Sequence, residues 1–274
     1  MYYNIYLDSF TTQLTQNERP LLSEEEIDRQ IRNAKRFQAS GKHQEALRIY
    51  EYLRTIVFND HGAVIDSSQI AVVIHNEASL HALNKQAKAA RAAYKASVAK
   101  ANHPVTAART LRGYANFVLL NDVDTDEARV LINQAQGELS KEAAKAKLGE
   151  AKLRIEKAIT NGLEGRVLIV EGDVEKGLAM LRTLDLILEE YGQKPDDQAH
   201  NLSWIIDATP DSQERKYYIE KAIRLSSQRG NTTEKRAYQA LLLGGEPLML
   251  LTVMFQKNFS LGANTLKAIT KRLL

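Results

Sequence analysis

The chain has no cysteine. Disulfide frameworks, thiolate zinc sites and cysteine nucleophiles are excluded with it, and the composition fits a reducing compartment. Five prolines and fourteen glycines in 274 residues leave long stretches free of helix breakers. Long apolar runs are missing too: the longest, Leu248–Phe255, falls far short of the ~20 residues that cross a bilayer. The opening Met1–Asp8 lacks the basic end and apolar core of a secretory signal. The expectation is a soluble, cytoplasmic protein without a transmembrane segment. Gly-x-Gly-x-x-Gly, the lysine-bearing P-loop and the Gly-x-Ser-x-Gly elbow are all absent. No stretch alternates polar and apolar residues between hairpin turns, so strands are not expected.

What is present is a folded, helix-favouring mixture, 44% hydrophobic and 26% charged. The formal net charge of +3 conceals blocks of opposite sign. Residues 1–77 carry a net −3, residues 122–200 a net −6 and residues 201–274 a net +5. Between the first two, residues 78–121 hold seven basic groups and no Asp or Glu. Segregation of this kind makes local fields that the whole-chain charge does not report.

Residues 34–53 spell out a helix–turn–helix hairpin. Ala34 and Phe37 lie one turn apart near the end of a first helix, Gly41 stops it, and Ala46, Tyr50 and Leu53 form the packing stripe of a second. A small residue at the crossing, with an aromatic one turn later, lets antiparallel helices interlock. Ser23 and Glu26 form a capping box, so the first helix starts near 24 and its partner covers about 43–58. A second hairpin spans roughly 66–83 and 86–101, where Ala90, Tyr94 and Ser97 repeat the spacing of Ala46, Tyr50 and Leu53. A third follows at about 105–120 and 124–136, with Ala128, Ile132 and Ala135 as its stripe. Residues 140–160 read as one long charged helix, punctuated by Gly162 and Gly165 before a hairpin of Val167–Glu171 and Val174–Tyr191. The polar run 193–198 reads as a linker. Helices are then expected near 199–207, 211–228 (capped by Thr209 before Pro210) and 232–243, with a last apolar helix from Pro247 and a basic one over 263–274. Residues 1–22 are left as a short helix or an extended arm.

The Gly-turn-Ala-x-x-x-Tyr-x-x-Leu arrangement of 41–53 resembles the tetratricopeptide repeat, a unit of about 34 residues built from two antiparallel helices. The likeness covers 27–60 well. It is weaker over 71–104, where Lys85 replaces the turn glycine, and over 108–137, where one residue is inserted in the turn. Residues 165–184 match as half a repeat, with Gly177 where the small residue belongs. The family's tryptophan in the first helix is absent, the only Trp being Trp204. The resemblance implies an all-α, right-handed solenoid: an N-terminal arm (1–22), a repeat domain (23–192) and a helical region (199–274) that caps its end.

It also implies an inner surface lined by the first helix of each hairpin. Arg32 and Lys35, then His75, Asn76 and Ser79, then Arg109, Arg112 and Asn116 fall on that side. Arg112 and Asn116 are similar to the basic-plus-asparagine pair with which some tetratricopeptide domains grip a peptide's terminal carboxylate, although Lys35 stands where the first hairpin would need a second Asn. Chemically, a guanidinium offers a two-pronged donor and an amide can hold an extended backbone. The expected function is therefore a non-catalytic scaffold or adaptor for a protein or peptide segment, acidic in character, with no cofactor and no metal. The alternative is a regulatory or architectural protein that contacts nucleic acid through Lys85, Lys88, Arg91 and Lys95. A third possibility for that stripe is a seam against the acidic 122–200 segment.

Two decoys complete the reading. Arg166-Val-Leu-Ile-Val-Glu-Gly-Asp173 resembles the first strand and acidic turn of a phosphoacceptor receiver domain, but an amphipathic helix follows it and no second strand is near. His75 and His81 share a helix at a spacing of six, which points them apart. Glu77 and His81, four apart, are placed to pair on the helix surface.

Overall fold

Apolar residues recurring every third and fourth position close one helix after another along this chain, and several of the turns between them carry a residue in the left-handed backbone region. The computed structural model describes residues 24–57, 67–192 and 195–242. Among the described residues all regular structure is helical: α1 (Glu24–Ala39), α2 (His43–Val57), α3 (Ser67–Leu83), α4 (Ala87–Lys100), α5 (Pro104–Asn121), α6 (Thr125–Leu139), α7 (Glu142–Glu171), α8 (Val174–Tyr191), α9 (Pro195–Ala208), α10 (Ser212–Gln228) and α11 (Thr232–Leu242). Each packs on the next, and α3, α5, α7 and α9 also touch in succession across the intervening helix. One apolar cluster runs from Ile74 to Leu241, and a second joins α1, α2 and α3 through Ile27, Tyr50, Leu53 and Val73.

Turn chemistry explains how the first three hairpins reverse. Gly41 takes φ +77° after α1, a conformation that costs glycine nothing. Lys85 occupies the corresponding place after α3 with φ +61°, so the turn geometry persists although the residue type does not. The inserted residue of the third turn is Val123, a β-branched side chain at φ +55°, followed by Asp124, whose carboxylate accepts from the Glu127 backbone N–H to cap α6. Pro104 opens α5, with His103 Nδ1 accepting from the Val105 N–H.

Within the hairpins, small residues recur at a fixed offset. Ala34 and Ala46, then Ala78 and Ala90, are fully buried pairs twelve residues apart. Ala115 and Ala128 repeat the pair at thirteen, the extra residue being accommodated at Val123. Gly165 and Gly177 form the fourth pair, and there the helices come to backbone contact. A Cβ on Gly177 would lie 2.5 Å from the Gly165 carbonyl oxygen and 2.6 Å from Ile169 Cγ1.

Three boundaries differ from expectation. Gly162 and Gly165 do not interrupt α7. They lie inside it, stripped of side chains so that α8 can approach, and the break falls at Gly149, with φ +72° and ψ 168°. The expected linker 193–198 is mostly helix: α9 starts at Pro195, and Asp196 and Asp197 sit in its first turn, where the helix dipole favours negative charge. The cap of α10 is Asp211, which accepts from the Glu214 N–H, while Thr209 donates back to the Ile205 carbonyl. Ser23, the arm 1–22 and the expected helices from Pro247 onward lie outside the described residues. No helix among the described residues is long and apolar enough to cross a membrane.

Two glycine substitutions should move stability in opposite directions. Gly137→Ala, on an exposed part of α6 with open space around it, is expected to stabilise by about 0.5–1 kcal/mol. Gly177→Ala should destabilise by about 1–3 kcal/mol through overpacking. Urea unfolding of both variants checks the contrast.

Candidate functional site

The odd-numbered helices carry the residues singled out for partner binding. On α1, Arg32 and Lys35 are exposed and have no ion-pair partner among the described residues. On α3, the His75 ring lies against the bare backbone of Gly113: a Cβ there would fall 2.2 Å from His75 Cε1. The ring meets Tyr94 edge-on at 5.5 Å, and its Nδ1 is buried without a partner. Asn76 is half-buried, with its Nδ2 also unpaired. Burial lowers the His75 pKa to about 4, and the nearby charges of Arg112 and Lys35 push it the same way. Lys35, His75 and Arg112, from α1, α3 and α5, are thus close enough to sense one another, with the histidine held neutral between two cations.

On α5, Arg109, Arg112 and Asn116 occupy successive turns, and α7 answers all three. Glu156 of α7 is only 1% exposed. Its Oε1 takes Arg109 Nη2 at 2.6 Å and its Oε2 takes Arg112 Nη1 at 2.7 Å. Arg112 Nη1 also donates to the Glu156 carbonyl at 3.0 Å. Asn116 Oδ1 accepts from Arg166 Nη1 at 3.2 Å. The carboxylate that Arg112 and its neighbours hold here is one of the chain's own, brought from 47 residues away in the case of Arg109.

The lysine–arginine stripe of α4 divides in two. Arg91 is committed to the next hairpin: it donates to both Glu127 oxygens at 2.8 Å, pairs with Asp122 and lies over the Tyr114 ring at 5.8 Å. Lys85, Lys88 and Lys95 are exposed. From Arg91 an aromatic chain leads inward, Tyr114 stacking on Tyr94 at 5.6 Å and Tyr94 reaching His75. Burial pushes both phenols up to about 12, so they remain protonated donors.

The decoys resolve by position. Arg166–Glu171 is helical, the end of α7. His81 contacts Glu77 at 3.4 Å and Gln86 at 2.6 Å, and Glu77 also pairs with Arg54 at 2.9 Å. Among the described residues no three His, Asp or Glu side chains gather as a metal site.

Sequence reasoning missed Glu156, Arg166 and the α9 residues beside them. Glu156 had a signal: it stands on the stripe Leu153, Glu156, Thr160, Leu163, Val167, a charge where the helical period calls for a buried residue. No protein-family model matches the chain, and no curated protein does either.

Two outcomes follow. Glu156→Gln leaves Arg112 without its counter-charge and should cost roughly 3 kcal/mol in urea unfolding. His75 binds a proton in the unfolded chain below about pH 6.5 but in the folded chain only below about 4. Its contribution to stability is therefore complete above pH 6.5 and falls as pH drops toward 4, by up to about 1.4 kcal/mol per unit. His200, lowered in the same way, adds to the loss, whereas Asp207, raised by burial, opposes it. His75→Gln should flatten the pH dependence of the unfolding free energy between pH 4 and 6.5 relative to the parent chain.

Proposed function

We propose that the chain is a non-catalytic scaffold or adaptor, a right-handed solenoid of tetratricopeptide-like hairpins whose odd-numbered helices line a concave face for an acidic protein or peptide segment. The observation that carries this reading is the buried small-residue pair repeated in four successive hairpins, 34/46, 78/90, 115/128 and 165/177. Contact among α3, α5, α7 and α9 supports the same arrangement. Hairpins that approach on one side and diverge on the other build curvature, and the crowded side becomes the inner one. Arg32 and Lys35 give that side its uncompensated positive charge, because Arg109 and Arg112 are already met by Glu156. An incoming acidic segment finds its attraction at α1 and a fixed polar floor over α3 and α5.

The nucleic-acid reading draws on Lys85, Lys88 and Lys95 alone, since Arg91 belongs to the α4–α6 seam. Three exposed lysines without aromatic interleaving make a weak phosphate track.

Affinity capture separates the two readings. A variant carrying Arg32→Glu and Lys35→Glu should lose its partners by about tenfold or more at low salt, while Lys85→Glu with Lys88→Glu retains them. Unchanged capture by the first variant removes the inner face from consideration. Nuclease-sensitive capture lost only in the second moves the function to α4.

A further inference from the structure

Buried charges among the described residues are met by ion pairs at Glu77, Glu156, Asp185, Lys221 and Glu234. Lys221, a buried cation of α10, meets Asp185 at 2.6 Å and Glu189 at 2.8 Å. Arg166 is different. It sits on α7 at 7% exposure, and its one hydrogen bond goes to a neutral acceptor, Asn116 Oδ1. Its Nε is buried with no acceptor, and no carboxylate among the described residues reaches it as an ion pair. Asp197 acts on it only through its field. The guanidinium lies over the ring of Trp204 on α9 at 5.6 Å, and the Trp204 indole N–H is likewise buried without an acceptor.

The physical chemistry of this spot is lopsided. Burial lowers the Arg166 pKa to about 10, which still leaves it a full cation at neutral pH. A desolvated cation without a counter-charge is costly, and apolar residues of like volume commonly replace such groups without loss. Two buried N–H donors lacking acceptors, the cation's own Nε and the Trp204 indole nitrogen, add to the cost. What the place lacks is an anion with acceptor oxygens. Earlier on the same helix the same need is answered by Glu156, which gives Arg109 and Arg112 a carboxylate.

We infer that Arg166, Asn116 and Trp204 form a carboxylate-binding subsite where α5, α7 and α9 meet, for a side-chain or terminal carboxylate of the bound segment. The assignment rests on the scaffold reading and deepens it: Arg32 and Lys35 attract the segment, and Arg166 anchors it. The guanidinium presents a planar fork that matches a carboxylate, and the Trp204 ring beneath fixes the plane of that fork.

Trp204 is the sole tryptophan, so its emission reports on this place and no other. Titrating the full chain with tetraglutamate should change Trp204 emission saturably at millimolar concentrations, whereas tetraglutamine should not. Arg166→Met should weaken the response at least about tenfold without lowering the urea midpoint, because the variant removes an unpaired buried charge. Arg166→Lys keeps the charge but loses the fork, and should also weaken it, so the test survives if the Met variant does not fold. A silent Trp204 in the parent chain overturns the subsite, as does an equal response in parent and variants. A response to a single-stranded oligonucleotide but not to tetraglutamate overturns its carboxylate character. Failure here leaves the Arg32 and Lys35 charge-reversal result standing, whereas failure of the scaffold reading appears as capture indifferent to those reversals, whatever Trp204 does.

Discussion

Two helices reach backbone contact only where neither puts a side chain between them, and in this chain a buried pair of small residues recurs in each of four successive hairpins. At Gly165 and Gly177 there is no room for even one added carbon. At 34/46, 78/90 and 115/128 alanine fills the positions and is fully buried. A close crossing locks the two helices of a hairpin, and a locked hairpin exposes an apolar face that only a neighbour can cover. The continuous cluster from Ile74 to Leu241 follows from that requirement.

The same crossings decide where the charges go. With odd helices brought together, the acid-free stretch around α4 and α5 faces acids supplied by later hairpins: Arg91 finds Asp122 and Glu127, and Arg109 and Arg112 find Glu156. Three of the seven basic groups of 78–121 thus form a seam with acids of 122–200, while Lys85, Lys88 and Lys95 stay exposed. Among the cations left without a counter-charge are Arg32 and Lys35, exposed on α1, and Arg166, buried under α9. The proposed function and its anchoring subsite grow out of those leftovers.

Local structure was legible because local chemistry dictates it. The stripe Ala46, Tyr50 and Leu53, the stop at Gly41 and the turn at Gly172 each depend on residues within a few positions, and each lies where the pattern puts it. Punctuation by glycine misled where burial was the cause: Gly165 reads as a breaker until a facing helix shows why a side chain is absent, while Gly149, with open space around it, is the true break. The site was legible in part. Helical periodicity brings Arg112, Asn116, His75 and Lys35 to one side, but the partners that define their state come from far along the chain. Asn116 is 50 residues from Arg166, and no local rule connects them.

A double-mutant cycle at the second hairpin tests the crossing most directly, because there it is carried by alanines alone. Ala90→Val should destabilise by overpacking, and adding Ala78→Gly should recover part of that loss by opening space on the facing helix. The account predicts a coupling of at least about 0.5 kcal/mol between the two positions in urea unfolding. Strict additivity would mean that Ala78 and Ala90 do not face one another, and the repeated crossing on which the stacked hairpins depend would be contradicted.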